Sequence, residues 1–214
     1  MEASLARLQR ERVELLLLHN PPDDLDWTRT DALRAGLDAL VQAGQVGAWG
    51  VSAASVRGAE NALVAGFGQA VEVVYNVLDR RPEARVFPLA LAQRVAVIAR
   101  VPLASGFLTG LYPPGVKFNP QDVRSTLPAA EVEWRLAMVE KLTYLASLPG
   151  GLPAAALRFA MAHPAVTTVV PGMNTAAQVE ANVSAHTTEP LPPELLARIA
   201  AELEVAFPGL PPGK

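Results

Sequence analysis

GFGQAVEVVYNVLDRR, residues 66–81, carries the choice between two architectures. It holds the chain's nearest approach to G-x-G-x-x-G, yet Val71 stands where the third glycine belongs, and both glycines precede an apolar run instead of following one. A dinucleotide-binding turn needs its glycines directly after a strand and at the mouth of a helix, so that backbone N–H groups meet the pyrophosphate. Here the order is reversed, and the dinucleotide-binding form of an open sheet is discarded. What remains is a strand, AVEVVY (70–75), that ends in a tyrosine followed by an asparagine.

Runs of the same kind recur on both sides: VELLLL (13–18), VGAWGV (46–51), RVAVIA (94–99) and VTTVV (166–170). Each has strand length and unbroken hydrophobicity, the mark of parallel strands covered on both faces. Helical spacing fills the intervals. Leu33, Leu37, Leu40 and Val41 share a face that Gly44 terminates; Val132, Leu136, Val139, Leu142 and Leu145 do so after Pro128; Leu195, Leu196, Ile199 and Leu203 follow Pro192 and Pro193. A helix, then strands and helices in alternation, gives an α/β class with right-handed crossovers. A doubly wound sheet and a (β/α) barrel both fit. In either, ligand groups gather at the C-terminal ends of strands, which here are His19, Ser52, Tyr75 with Asn76, Arg100, and Pro171 with Gly172.

The totals narrow the function. The 214 residues suffice for a single domain, 1–214, and at 50% hydrophobic and 18% charged the chain has the composition of a well-packed globular protein. A formal charge of -3 with thinly spread Lys and Arg leaves no stripe for phosphate backbones, so nucleic acid is not expected as a partner. Without cysteine there is no disulfide, thiolate metal site or thiol nucleophile. No apolar run reaches membrane-spanning length and MEASLARLQRER lacks a signal-type core, so a cytoplasmic protein is expected. Residues 100–128 form the longest stretch without periodicity, a lid or ligand clamp by length. Its Leu103, Phe107, Leu108, Tyr112 and Phe118 give it apolar groups to pack down.

His19 closes an apolar strand, and its imidazole suits either a proton or hydrogen-bond donor to a substrate oxygen or a cap on the strand end. His163, before Pro164, and His186 are expected to be structural. Neither H-E-x-x-H, H-x-x-x-H nor a carboxylate cluster occurs, so no metal is expected, and G-x-S-x-G is absent too.

The stretches ERVELLLLHNPP, DALRAGLDALVQAGQVGAWGVSAAS, VVYNVLDRR, VPLASGFLTGLY, KFNPQDVR and ALRFAMAHPAVTTVVPGMNTAAQVEANVSAH, in that order, resemble the aldo-keto reductases, closest to a bacterial branch with PLASGxLTG and VxPGxxxxxQVxxN. The resemblance implies a TIM barrel that binds an extended nicotinamide cofactor, NAD(P)H, without a Rossmann motif, the strands above being barrel strands four to eight. It implies reduction of a small-molecule carbonyl. It makes His19 the active-site histidine that orients and polarises the carbonyl. Ser52 bonds the carboxamide, with Ala53 in place of the usual asparagine. Glu72 replaces a glutamine that holds the same group, removing an amide donor and adding negative charge near the ring. Arg100 stands where many members stack a tyrosine. The backbone of Leu103, Ser105 and Gly106 cradles the pyrophosphate, and Gly172, Met173, Gln178 and Asn182 form the adenosine segment. That segment offers no cation for a 2′-phosphate, so a preference for NADPH is not expected.

Of the family's tyrosine, lysine, aspartate and histidine, the resemblance finds only the histidine. The tyrosines are Tyr75, Tyr112 and Tyr144 and the lysines Lys117, Lys141 and Lys214, none aligned with the family pair. The expectation is a truncated, weak or inactive reductase. Its alternatives are a non-catalytic nucleotide-binding or structural remnant, or one chain of a barrel completed by another. Strands 13–18 and 166–170 would be open edges, so a homo-oligomer is expected to cover them, or else the N-terminal helix or residues 204–214.

Overall fold

The computed structural model describes residues 1–209; residues 210–214, part of the tail just named, lie outside it. The helices are α1 (Glu2–Leu8), α2 (Asp31–Gln42), α3 (Val56–Val64), α4 (Val86–Gln93), α5 (Ala129–Lys141), α6 (Gly151–Ala162), α7 (Ala176–Thr187) and α8 (Pro193–Glu202). The strands are β1 (Val13–His19), β2 (Val46–Ser52), β3 (Ala70–Val74), β4 (Ala96–Arg100) and β5 (Val166–Val170). They make one 5-stranded parallel sheet in chain order, β1-β2-β3-β4-β5. Such an order follows when each crossover carries a helix and steps one strand along.

Two compact units divide the chain. The first comprises Met1–Val73 with Glu83–Ile98. Its core gathers Trp49, Val51, Leu63, Phe67, Phe87 and Val97. The helix ends follow from local chemistry. Gly44 takes φ +72 just beyond α2, and the N–H of Gln45 bonds back to Leu40 O at 3.1 Å. Ser55 caps α3 by accepting from Gly58 N at 2.9 Å, while its hydroxyl donates to Asp23 Oδ2 at 2.6 Å. β2 and β3 approach so closely that a Cβ on Gly50 would lie 2.0 Å from Ala70 O, which is why glycine sits mid-strand.

The second unit comprises Val74–Pro82 and the chain from Ala99 onward. Tyr75, Phe107, Leu142, Leu157 and Ile199 are among its buried side chains. Two buried arginines tie distant backbone. Arg80 Nη2 donates to Ala200 O and Leu203 O at the end of α8, and Arg158 bonds Ala154 O, Pro149 O and Glu189 O. Carbonyls at a helix C-terminus lack intrahelical donors, so the guanidinium fork of Arg80 caps α8.

Two expectations change in detail. β1 and β5 read as strands covered on both faces, yet Glu14, Thr167, Thr168 and Val170 are exposed. Both strands end the sheet order, where one flank lacks a neighbour. From sequence, the two glycines and two prolines of SLPGGLP (147–153) look only like a connector between helices, but α6 already starts at Gly151, after Gly150 turns the chain at φ +78.

Candidate functional site

Two residues singled out at strand ends, His19 and Ser52, fall on one row with Glu72 from the middle of β3. Register pairs His19 of β1 with Ser52 of β2, and Ser52 with Glu72 of β3. Partners in parallel strands project to the same face, so the row presents an imidazole, a hydroxyl and a carboxylate side by side. Ser52 is 3% exposed, and its hydroxyl donates to Glu72 Oε1 at 2.7 Å. That bond is charge-assisted. Backbone pairing continues one residue past the strands: Asn20 N donates to Ser52 O at 2.8 Å and Ala53 N to Glu72 O at 2.9 Å. Asn20 then turns the chain at φ +49, leaving the His19 side chain exposed.

Within the second unit, β4 ends in Arg100 and the chain enters a strained turn. Val101, Ala104, Ser105 and Gly106 have φ of +55, +50, +58 and +89. Left-handed backbone at non-glycine positions costs energy and persists only where surroundings impose it. Those surroundings were not legible beforehand. Asn76 Nδ2 donates to Val101 O at 3.0 Å, Arg135 Nη1 to Ala104 O at 3.2 Å, and Arg124 Nη1 to Ser105 O at 3.4 Å. Arg135 in turn pairs with Glu131, and Arg124 with Asp122. Phe107, Tyr112 and Phe118 meet edge to face, with the Arg124 guanidinium 4.9 Å from the Tyr112 ring. The 100–128 stretch is therefore packed through its aromatic residues. Its sequence signal was the interleaved aromatics; the Glu131–Arg135 pair, four apart on α5, was not read from the sequence. Arg100, Ser105, Asn76, Arg81 and Arg135 line a cavity of about 240 Å³. Leu103 is half-buried at the start of the turn.

The last segment is open. Gly172, Met173 and Gln178 are exposed, and Gln178 Oε1 accepts from Asn174 N at 2.6 Å, which fixes the amide against its own loop. Asn182 differs: its Nδ2 is buried with no partner, on a groove of about 310 Å³ shared with Leu157, Met161, Met173 and Val183. An orphaned amide donor beside an apolar groove fits a flat heterocycle with ring acceptors. At Gly106 a Cβ would come within 3.1 Å of Tyr112 Oη and 3.3 Å of Arg124 Nη1, so glycine lets those side chains pack against the turn. These features fit an extended dinucleotide.

The tyrosines are otherwise engaged. Tyr75 is 1% exposed, stacks on Phe159 and meets His163 edge to face; Tyr112 belongs to the aromatic cluster. Tyr144 Oη donates to Glu202 Oε2 at 3.0 Å, and burial together with Glu202 pushes its pKa up to about 12. A proton donor to carbonyl needs the opposite shift. His163 Nδ1 accepts from Ala165 N at 3.2 Å, as a structural histidine should. Among the described residues no group of three or more His, Cys, Asp or Glu could hold a metal ion, and no helix is long and apolar enough to cross a membrane.

The profile of the Aldo/keto reductase family matches residues 1–204. The chain belongs to the aldo/keto reductase family. It is 27% identical over 192 residues to "Uncharacterized oxidoreductase YrpG" of Bacillus subtilis (strain 168), covering 86% of this chain and 57% of that protein. It is 29% identical over 224 residues to human "Aldo-keto reductase family 7 member A3", covering 92% of this chain and 66% of the relative. Among solved structures, holo aldo-keto reductase AKR11C1 from Bacillus halodurans superposes with a TM-score of 0.77 at 27% identity, covering 97% of this chain and 65% of the other. Glycerol dehydrogenase AKR11B4 from Gluconobacter oxydans gives 0.77 at 25%, covering 100% and 65%. The five parallel strands of this aldo/keto reductase chain thus match part of a TIM barrel, and the chain spans less than two thirds of those two structures and 57% of the Bacillus subtilis relative.

Proposed function

We propose that this aldo/keto reductase chain carries the cofactor-holding part of a site for hydride exchange between NAD(P)H and a small-molecule carbonyl, with His19 facing the carbonyl oxygen. The observation that supports this best is the row His19, Ser52, Glu72, set in register on adjacent parallel strands. A bound nicotinamide cofactor would supply the hydride. The chain's residues do the rest of what can be assigned. Ser52 and Glu72 take the carboxamide, Arg100 underlies the ring, the Leu103–Gly106 backbone holds the pyrophosphate, and Gly172, Met173, Gln178 and Asn182 hold the adenosine. His19 donates a hydrogen bond to the substrate oxygen, the role an exposed imidazole at a strand end can fill.

In this reading the 214-residue chain, tested alone, turns carbonyls over slowly. All three of its tyrosines are committed to packing or to Glu202, and general acid catalysis is worth about 10² to 10⁴-fold. The second reading, binding without chemistry, rests on the same observation. Calorimetry with NADH, followed by aldehyde reduction, separates the two: binding with slow turnover supports the first, binding with none the second, and no binding rejects both. Turnover at a full-length relative's rate, abolished by His19→Ala, would overturn the slow-turnover part.

The same reading gives no strong preference for a 2′-phosphate, because Gln178 is neutral and already bonded to Asn174. NADPH bound more than about tenfold tighter than NADH, roughly 1.4 kcal/mol, would contradict it. The same reading keeps the chain as one domain and includes a homo-oligomer, in which a second copy covers β1 and β5 at the two ends of the sheet order, where Val170 is 50% exposed. Light scattering that finds a stable monomer would reject the oligomer.

A further inference from the structure

Ser52 has one proton to donate, and that proton goes to Glu72 Oε1 at 2.7 Å. Outward, the hydroxyl therefore offers only lone pairs, and a carboxylate offers only lone pairs as well. We propose that the Ser52–Glu72 pair is an all-acceptor, negatively charged subsite that selects a cationic, donor-bearing ring, and so favours the oxidised pyridinium form of the nicotinamide cofactor over the reduced form. The inference rests on the cofactor placement proposed above and deepens it.

The reasoning is electrostatic and geometric together. A serine beside an amide side chain could rotate to present a donor to the carboxamide oxygen and an acceptor to its –NH₂. Here both partners must face the –NH₂ end, which fixes which edge of the carboxamide points at β2 and β3. The oxidised ring carries a positive charge that the reduced ring lacks. A fixed negative charge nearby lowers the free energy of the first without doing so for the second. Ser52 is 3% exposed, so water screens its side of the pair poorly. Bound cofactor is then biased toward its oxidised state, and the site toward releasing NADH after alcohol oxidation and toward spending it readily in carbonyl reduction.

The test is binding, not turnover. Calorimetric titrations with NAD⁺, NADH and ADP-ribose, which lacks the ring, are run on the unsubstituted chain and on Glu72→Gln. The expected result is a shift of the NAD⁺ to NADH affinity ratio by about tenfold toward NADH in the variant, with ADP-ribose held within about twofold. An unchanged ratio in Glu72→Gln, with all three ligands still bound, overturns this inference and leaves the cofactor reading standing. Failure of the unsubstituted chain to bind any of the three overturns both. A measurement needing no variant is competition against NADH: the 1-methylnicotinamide cation is expected to displace it at lower concentration than neutral nicotinamide, and equal potency, or none from the cation, also overturns the proposal.

Discussion

The row of paired strand residues in the first unit and the turn of the second are held in place by different means. His19, Ser52 and Glu72 are positioned by backbone ladders, and the only side-chain bond among them is the short one between Ser52 and Glu72. Val101 to Gly106 have no ladder to lie on. Val101, Ala104 and Ser105 keep left-handed backbone because Asn76, Arg135 and Arg124 hold their carbonyls from elsewhere in sequence. A row on strands is as rigid as its sheet, whereas a strained turn is only as rigid as the side chains that pin it. Substitutions should therefore act on the first region through folding and on the second through local geometry.

The largest effect should come from the sheet. Gly50→Ala places a Cβ 2.0 Å from Ala70 O, a backbone atom that cannot move aside without parting β2 from β3. A loss of at least about 3 kcal/mol is expected, in the range of severe overpacking, and denaturant unfolding measures it. A stable variant that retains the wild-type midpoint would mean the row is not fixed by the ladder. Next comes Arg135→Met, which strips the pin from Ala104 and leaves Glu131, 5% exposed, without its cation. Because Arg135 is itself part-exposed, about 2 kcal/mol is expected, below the cost for a wholly buried pair. Adding Glu131→Gln should restore about half of it. If the double variant is no better than the single, the buried carboxylate was not the cause.

Gly106→Ala sharpens the contrast further. Its φ of +89 strains any side chain, and the new Cβ would press on Tyr112 Oη at 3.1 Å and Arg124 Nη1 at 3.3 Å. About 1 to 2 kcal/mol of stability should be lost. ADP-ribose affinity should fall by more than the stability change explains, since the turn and the proposed pyrophosphate cradle are one piece of backbone. Equal losses would show the turn to be structural alone.

How much of this could be read from the sequence follows the same division. Every strand was legible to within a residue or two, because unbroken apolar runs report burial directly, and α2, α5 and α8 were legible through their apolar faces and their Gly or Pro borders. Exposure on β1 and β5 was not, since an apolar run does not say whether a neighbouring strand will cover it. The positions of His19, Ser52 and Glu72 were legible from the resemblance, but their register was not, nor the bond that makes an acceptor patch of two of them. The arginine pins were hidden for a physical reason. Arg124 and Arg135 reach carbonyls 19 and 31 residues away, and side chain to backbone bonds across such separations leave no periodic trace.

The smallest expected effect lies at the far end of the second unit, where α8 meets Tyr144. Burial first, and then the hydrogen bond to Glu202, raise the Tyr144 pKa from the usual 10.0 to about 12, while Arg198, 3.9 Å above the ring, works the other way. A folded-state pKa above the unfolded value means that the neutral phenol is the form favoured by folding. Its contribution is therefore complete below about pH 10 and is lost as the pH rises through about 12. The phenol is only part-buried, so solvent screening leaves less than about 1 kcal/mol of that shift as stability. Tyr144→Phe removes the titration. Its unfolding free energy, measured by denaturant at pH 8 and again at pH 11, should fall less between the two than that of the unsubstituted chain. An identical alkaline loss in both proteins would assign the loss to other groups and free the contact of α8 from any pH role.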